Sequence, residues 1–286
     1  FRTKKLKSKV LLTTQTKLRL KDLNDTMPEF NEVRLTSEWV TRKNKDRTIV
    51  EVEYLPSNKL KLIEDIDVVG KTLSASSRGK EMKLHFDEEP VVITLGMSGG
   101  FKSFKERDTN DNKHWKHAHI RFKMSDGEWF TWTDIRRFGK SLGKDWGEKR
   151  GPDMFDEREE FISNIMNNLD HRDFSKPAHE VLMNQKWFNG IGNYLRAEIL
   201  GKWDCNPFQP IREIISEEFL EHLLNQVKDS YLLGGGQLYS WMNENKQPIR
   251  RDINWGEWMK FYGKKESIKD KQKRTFWFDK KWLDYV

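Results

Sequence analysis

The sequence predicts an α+β protein: an antiparallel β-domain with one leading helix, then a helical half and a small terminal β-hairpin. Three observations predict it. Short runs of strand character recur between residues 48 and 133, the apolar period lengthens to that of helices after Pro152, and Gly234-Gly235-Gly236 precedes an aromatic, basic tail. The 286 residues allow one large domain or two ordinary ones. Hydrophobic residues make up 36% and charged residues 34%, which is polar, but the 12% aromatic share argues against a disordered chain. No apolar run approaches the about 20 residues that a bilayer-spanning helix needs. The single cysteine, Cys205, excludes an intramolecular disulfide framework and any zinc site built from several thiolates.

The formal charge of +7 invites a polyanionic partner, but it is unevenly placed. Residues 1–26 carry eight Lys or Arg against Asp22 and Asp25. This basic, hydroxyl-rich extension reads as a displaced start or vector-like scar, with a targeting peptide or a basic arm as the other readings. Its absence from the active protein is the expectation, because Met27 begins a sharp change of character.

Residues 27–145 read as the β-domain. Val33, Leu35, Trp39 and Val40 suit a short helix over 31–40. Strands are expected over 48–54, 68–74, 80–86 and 91–97, and over 117–124 and 128–133 around the hairpin turn Ser125-Asp126-Gly127. Residues 146–153 read as a linker. Helices are expected over 157–168, 178–183, 194–202 and 216–232, the last starting at Ser216-Glu217-Glu218-Phe219. Residues 154–254 thus form a helical domain, and 255–286 has room for one terminal hairpin.

The chemistry starts at Met27-Pro28-Glu29-Phe30-Asn31-Glu32-Val33. If Met27 initiates and is removed, Pro28 becomes an N-terminal secondary amine beside a carboxylate. An α-amino group titrates near about 8 against about 10.4 for Lys, so far more of it is a neutral nucleophile at pH 7. It can attack an aldehydic or glycosidic carbon while Glu29 moves protons. Taken alone, the segment reads first as a Pro in the first turn of a helix, and only second as a nucleophile.

Other segments bear on that choice. In order they are Ser77-Arg78-Gly79-Lys80, Leu95-Gly96-Met97-Ser98-Gly99, Lys116-His117-Ala118-His119-Ile120 and Asp134-Ile135-Arg136-Arg137-Phe138-Gly139. Gly151-Pro152-Asp153, Leu182-Met183-Asn184-Gln185 and Gly190-Ile191-Gly192-Asn193-Tyr194-Leu195-Arg196-Ala197-Glu198 follow. This co-linear set over residues 27–286 resembles the Fpg/Nei family of base-excision repair DNA glycosylases. The resemblance implies an N-terminal β-sandwich and a helical domain with a helix-two-turn-helix motif.

It also implies roles. Pro28 would be the Schiff-base nucleophile, Glu29 the general acid/base and Glu32 a supporting acid. Lys80 would lie near the damaged nucleotide's phosphate and Asn193 on the DNA backbone. Met97, Arg136 and Phe138 would fill the void left by a flipped base. Read without the family, Met97 is a core residue, Lys80 a solvated strand charge, and His117 and His119 structural hydrogen-bonding groups. The tail lacks the four cysteines of the bacterial finger, yet Lys273-Arg274-Thr275-Phe276-Trp277-Phe278 resembles its tip, with Phe278 where a thiolate would stand. That is similar to the zincless finger of the endonuclease VIII-like subgroup, with aromatic residues holding the hairpin and Arg274 reaching phosphates.

The expected protein is a bifunctional DNA glycosylase and AP lyase, acting as a monomer on damaged double-stranded DNA inside the cell, compartment open, with no membrane, cofactor or metal. Oxidised pyrimidines are the favoured lesions and β,δ-elimination the nicking route. If residues 1–26 remain attached, Pro28 is an amide, and the alternative is a non-catalytic damaged-DNA-binding protein.

Overall fold

The computed structural model describes residues 28–55, 61–108, 112–235 and 254–286. The readings for residues 1–26, Met27 and Gly236 lie outside the described residues.

Helix α1 (Phe30–Lys43) is followed by two antiparallel four-stranded sheets. Strands β1 (Ile49–Tyr54), β6 (Ala118–Met124), β7 (Trp129–Asp134) and β5 (Gly99–Phe104) lie side by side in that order. The second sheet runs β2 (Leu73–Arg78), β3 (Glu81–Phe86), β4 (Glu89–Thr94) and β8 (Lys140–Gly143). Alternating residues of both sheets meet in one buried cluster, where Phe86 and Phe122 face each other at 5.8 Å. The one-turn helices α2 (Lys61–Glu64) and α3 (Lys113–Lys116) sit in the connections.

The helical half holds α4 (Arg158–Met166), α5 (Ala178–Val181), α6 (Asn193–Trp203), α7 (Glu217–Leu232) and α8 (Trp255–Trp258). Ser216 caps α7 by accepting the Phe219 N–H, as its sequence position predicts. Strands β9 (Glu266–Lys269) and β10 (Thr275–Phe278) form the terminal hairpin. Its aromatic side chains are not exposed: Phe276 and Phe278 join Trp258, Tyr194 and Phe188 in the helical core.

Helix α1 spans the junction of the two halves. Phe30, in its first turn, is buried in the helical cluster, whereas Val33, Trp39 and Val40 are buried in the sandwich cluster. The residues just before it, Pro28 and Glu29, are therefore held where the halves meet.

Several element boundaries differ from the sequence reading. The strand expected over 68–74 starts at Leu73, because Gly70 (φ +86°) turns the chain and Val68 plugs the core from that turn. Lys80 is not on a strand: it belongs with Gly79 to the two-residue turn between Arg78 and Glu81. Strands β5 and β8 were not expected, and the helix expected over 178–183 is one turn.

Candidate active site

The helix α6 N-terminus has no side chain of its own to cap it, since its N-cap is Gly192. Glu29 fills that role from 163 residues earlier in the chain. Its carboxylate accepts the Gly192 and Tyr194 N–H groups, each at 2.8 Å, and the Leu195 N–H at 3.2 Å. Such a cluster of donors at a helix start favours negative charge. Burial opposes it and wins: desolvation and the neighbouring Glu32 push the Glu29 carboxyl up to about 7, against Lys80 and the backbone donors. A carboxyl half-protonated near neutrality, beside Pro28, is suited to moving protons.

Close backbone approach fixes this geometry. A Cβ on Gly192 would sit 2.2 Å from the Glu29 carboxyl carbon, and one on Gly190 2.6 Å from the Phe30 ring. The Phe30 N–H donates to the Gly190 carbonyl at 3.0 Å. The Gly-Ile-Gly segment is thus a cradle for residues 28–30.

Lys80 and Glu32 complete the group. The half-buried Lys80 donates to the Ile191 carbonyl at 2.9 Å, a carbonyl that also accepts from Gln185 Nε2 at 2.9 Å. Burial, Arg150 and Arg274 push the Lys80 amine down to about 8 despite the nearby Glu29. Gly79 (φ +59°) makes the turn that aims Lys80, and its N–H donates to Asp153 at 2.9 Å. Glu32, fully buried, accepts the Glu29 N–H at 2.9 Å and the Tyr194 hydroxyl at 3.0 Å.

Met97, Arg136 and Phe138 are brought together on two adjoining loops. Met97 belongs to neither core, which removes the reading of it as a core residue, and Arg136 Nη1 approaches its sulfur at 3.8 Å. Phe138 is 53% exposed, too much for a packing role. The buried Asp134 joins the loops: it accepts from Ser98 Oγ at 2.5 Å and from the Arg136 and Gly139 N–H groups at 3.2 and 2.7 Å. Burial pushes its carboxyl up, but His119, Ser98 and the Gly139 N–H outweigh that and hold it well below the usual range. His119 Nδ1 lies 3.4 Å from the Arg137 guanidinium and its Nε2 3.7 Å from Asp134.

Asn193 and Arg274 face each other across the α6–hairpin contact, and both are engaged by protein groups. Asn193 Nδ2 donates to the Thr275 carbonyl at 2.8 Å and its Oδ1 accepts from Arg196 at 2.6 Å. Arg274 Nε donates to Asp270 at 2.9 Å. Sequence reasoning gave no role to Tyr194, Gln185, Asp134 or Asp270. All but Asp270 stand inside quoted motifs, but nothing local marks a side chain whose partner lies far along the chain.

The chain is similar to several known proteins. Residues 27–141 match the formamidopyrimidine-DNA glycosylase N-terminal domain. The chain is 29% identical over 293 residues to endonuclease 8-like 1 of Homo sapiens, covering 88% of this chain and 72% of that protein. It is 26% identical over 235 residues to the formamidopyrimidine-DNA glycosylase of Bacillus subtilis, covering 76% and 82%. Its fold matches the Lactococcus lactis Fpg structure bound non-covalently to AP-site DNA, with a TM-score of 0.68 at 19% identity over 88% of this chain and 97% of that one. Among the described residues no helix is long and apolar enough to cross a membrane.

Proposed function

We propose, from this chain's membership of the Fpg/Nei family of DNA glycosylases, that it is a bifunctional glycosylase and AP lyase of base-excision repair working through Pro28. The carrying observation is Glu29: a buried carboxyl, raised to about 7, fixed next to Pro28 by three backbone donors.

As a free secondary amine, Pro28 attacks C1′ of the damaged nucleoside. A carbon–nitrogen bond forms, the glycosidic bond breaks, and the base leaves with its electron pair and a proton. The sugar ring opens to an iminium on Pro28, with Glu29 supplying and removing protons. Loss of a C2′ proton then expels the 3′ phosphate, and a second elimination expels the 5′ phosphate. Lys80, Asn193 and Arg274 serve the phosphates, and Met97, Arg136 and Phe138 occupy the space of the extruded nucleotide. The resemblance of the tail to a zincless finger favours oxidised pyrimidines as the lesions. The buried Phe276 and Phe278 support a finger packed by aromatic rings.

Borohydride trapping with an abasic-site duplex tests the reading. Protein expressed from Met27 should give a covalent adduct that Pro28→Gly weakens or abolishes. An equally strong adduct from protein that demonstrably retains residues 1–26 would remove Pro28 as the nucleophile. DNA binding without any adduct from the Met27 form would leave a damage-binding protein without lyase chemistry.

A further inference from the structure

The two groups assigned to phosphates, Asn193 and Arg274, are joined by a side chain shut off from solvent. Arg196 is 0% exposed. One prong, Nη2, donates to Asn193 Oδ1 at 2.6 Å. The other, Nη1, donates at 2.9 Å to both the His179 carbonyl and Asp270 Oδ2. The same Asp270 oxygen accepts from Arg274 Nε at 2.9 Å, while Oδ1 accepts the Gln272 and Arg274 N–H groups that shape the hairpin tip. The Arg196 guanidinium also lies 5.0 Å from the centre of the Phe276 ring, on which the His179 imidazole stacks.

A buried charge at a helix–hairpin contact is costly unless paired, and a hydrophobic pair would often serve stability as well. What a hydrophobic pair cannot do is orient two polar side chains on different elements. The planar guanidinium, with donors at fixed angles, can. We propose that Arg196 is a positioning residue for DNA: through Asn193 on one side and Asp270–Arg274 on the other, it sets the spacing of two phosphate contacts on α6 and the terminal hairpin. The inference rests on the proposed reading of Asn193 and Arg274 as phosphate ligands.

The test compares Arg196→Met/Asp270→Asn with Arg274→Ala and with the triple variant, in the full chain. The paired change removes both charges, and the carboxamide oxygen introduced by Asp270→Asn can still accept the Gln272 and Arg274 N–H groups, so the fold is retained. The readout is affinity for abasic and undamaged duplexes across a salt series, beside thermal melting. The expected result is a roughly tenfold loss of affinity and a salt slope lower by about one, with unchanged melting, although Arg196 meets no phosphate itself. Adding Arg274→Ala to the paired change should cost less than about twofold further, because the contact is already lost. Wild-type affinity and slope in the paired variant, with Arg274→Ala impaired, would overturn the inference and leave the DNA reading standing. Full additivity of the two changes would also overturn it. If Arg274→Ala itself binds normally, the phosphate reading fails first. Should the paired variant not fold, Arg196→Lys alone, which keeps a charge beside Asp270 but loses the planar fork that reaches Asn193, makes the same comparison with Arg274→Ala.

Discussion

The Glu29 carboxylate and the Gly192 backbone N–H meet at 2.8 Å, so the side chain proposed to carry protons is also the cap of α6. It ties residues 28–30 to the helical half without any contribution from the sandwich. The cap is possible only because residue 192 lacks a Cβ, which would lie inside the carboxylate.

Gly192→Ala should therefore displace Glu29 while leaving the local backbone acceptable, since φ at residue 192 is −123°. Base excision is expected to fall by at least about tenfold, the cost of roughly 1.4 kcal/mol in barrier. Binding to an abasic duplex should change little. Single-turnover excision beside equilibrium binding decides it; equal losses in both would mean the whole helix start had moved.

The raised Glu29 carboxyl sets a pH dependence. Its folded value, about 7, lies above its ordinary 4.5, so the folded state holds the proton more tightly. Stability from this group is full below about 4.5 and is lost as pH rises through about 7. A proton donor is spent over the same interval, so excision should decline as pH rises through about 7. In Glu29→Gln that limb should vanish from what activity remains, with abasic-site cleavage less affected than base release. A profile of unchanged shape in Glu29→Gln would move the titrating group elsewhere, with Lys80 the next to examine.

Legibility followed the range of the interaction. The Ser216 cap and the Ser125-Asp126-Gly127 turn act over a few residues, and both were readable. Strand β5 was hidden because it opens with Gly99-Gly100, residues that read as a break; Gly99 is required there, since a Cβ would meet the Leu95 carbonyl oxygen at 2.1 Å. Strand β8, Lys140-Ser141-Leu142-Gly143, is a short, largely solvated edge with little apolar pattern. At the site, Glu29, Lys80 and Phe138 stood out through motifs. The supporting contacts did not: Arg196 meets Asp270 across 74 residues, and Lys80 meets Ile191 across 111.

Their place outside both cores makes Phe138 and Met97 a clean test of the void-filling assignment. Phe138 is 53% exposed and Met97 lies outside both cores, so Phe138→Ala and Met97→Ala should each alter stability by less than about 0.5 kcal/mol. Excision from a lesion duplex should nevertheless slow, with undamaged-duplex affinity nearly unchanged and abasic sites affected least, because no base has to be unstacked there. Chemical denaturation and single-turnover rates on the three duplexes check this. Normal excision by both variants would end the assignment.

Asp134 carries the last prediction, because one buried carboxylate holds both loops. Asp134→Asn keeps the shape but turns one acceptor into a donor facing either the Gly139 N–H or the Ser98–Arg136 side. A donor left without its acceptor costs about 1–3 kcal/mol. Excision should slow as well, since Met97 neighbours Ser98, and Arg136 and Phe138 lie between the two loop anchors. The sign of the pH effect is opposite to that at Glu29. The Asp134 carboxyl is held below its ordinary 3.8, so its contribution is present above that value and is lost as pH falls below it. The stability difference between wild type and Asp134→Asn should then be constant from about pH 6 to about pH 8 and shrink as pH falls below about 4. Urea denaturation along that series measures it. A difference that stayed constant into acid would show that Asp134 acts through shape alone and that its charge has no part in setting the loops.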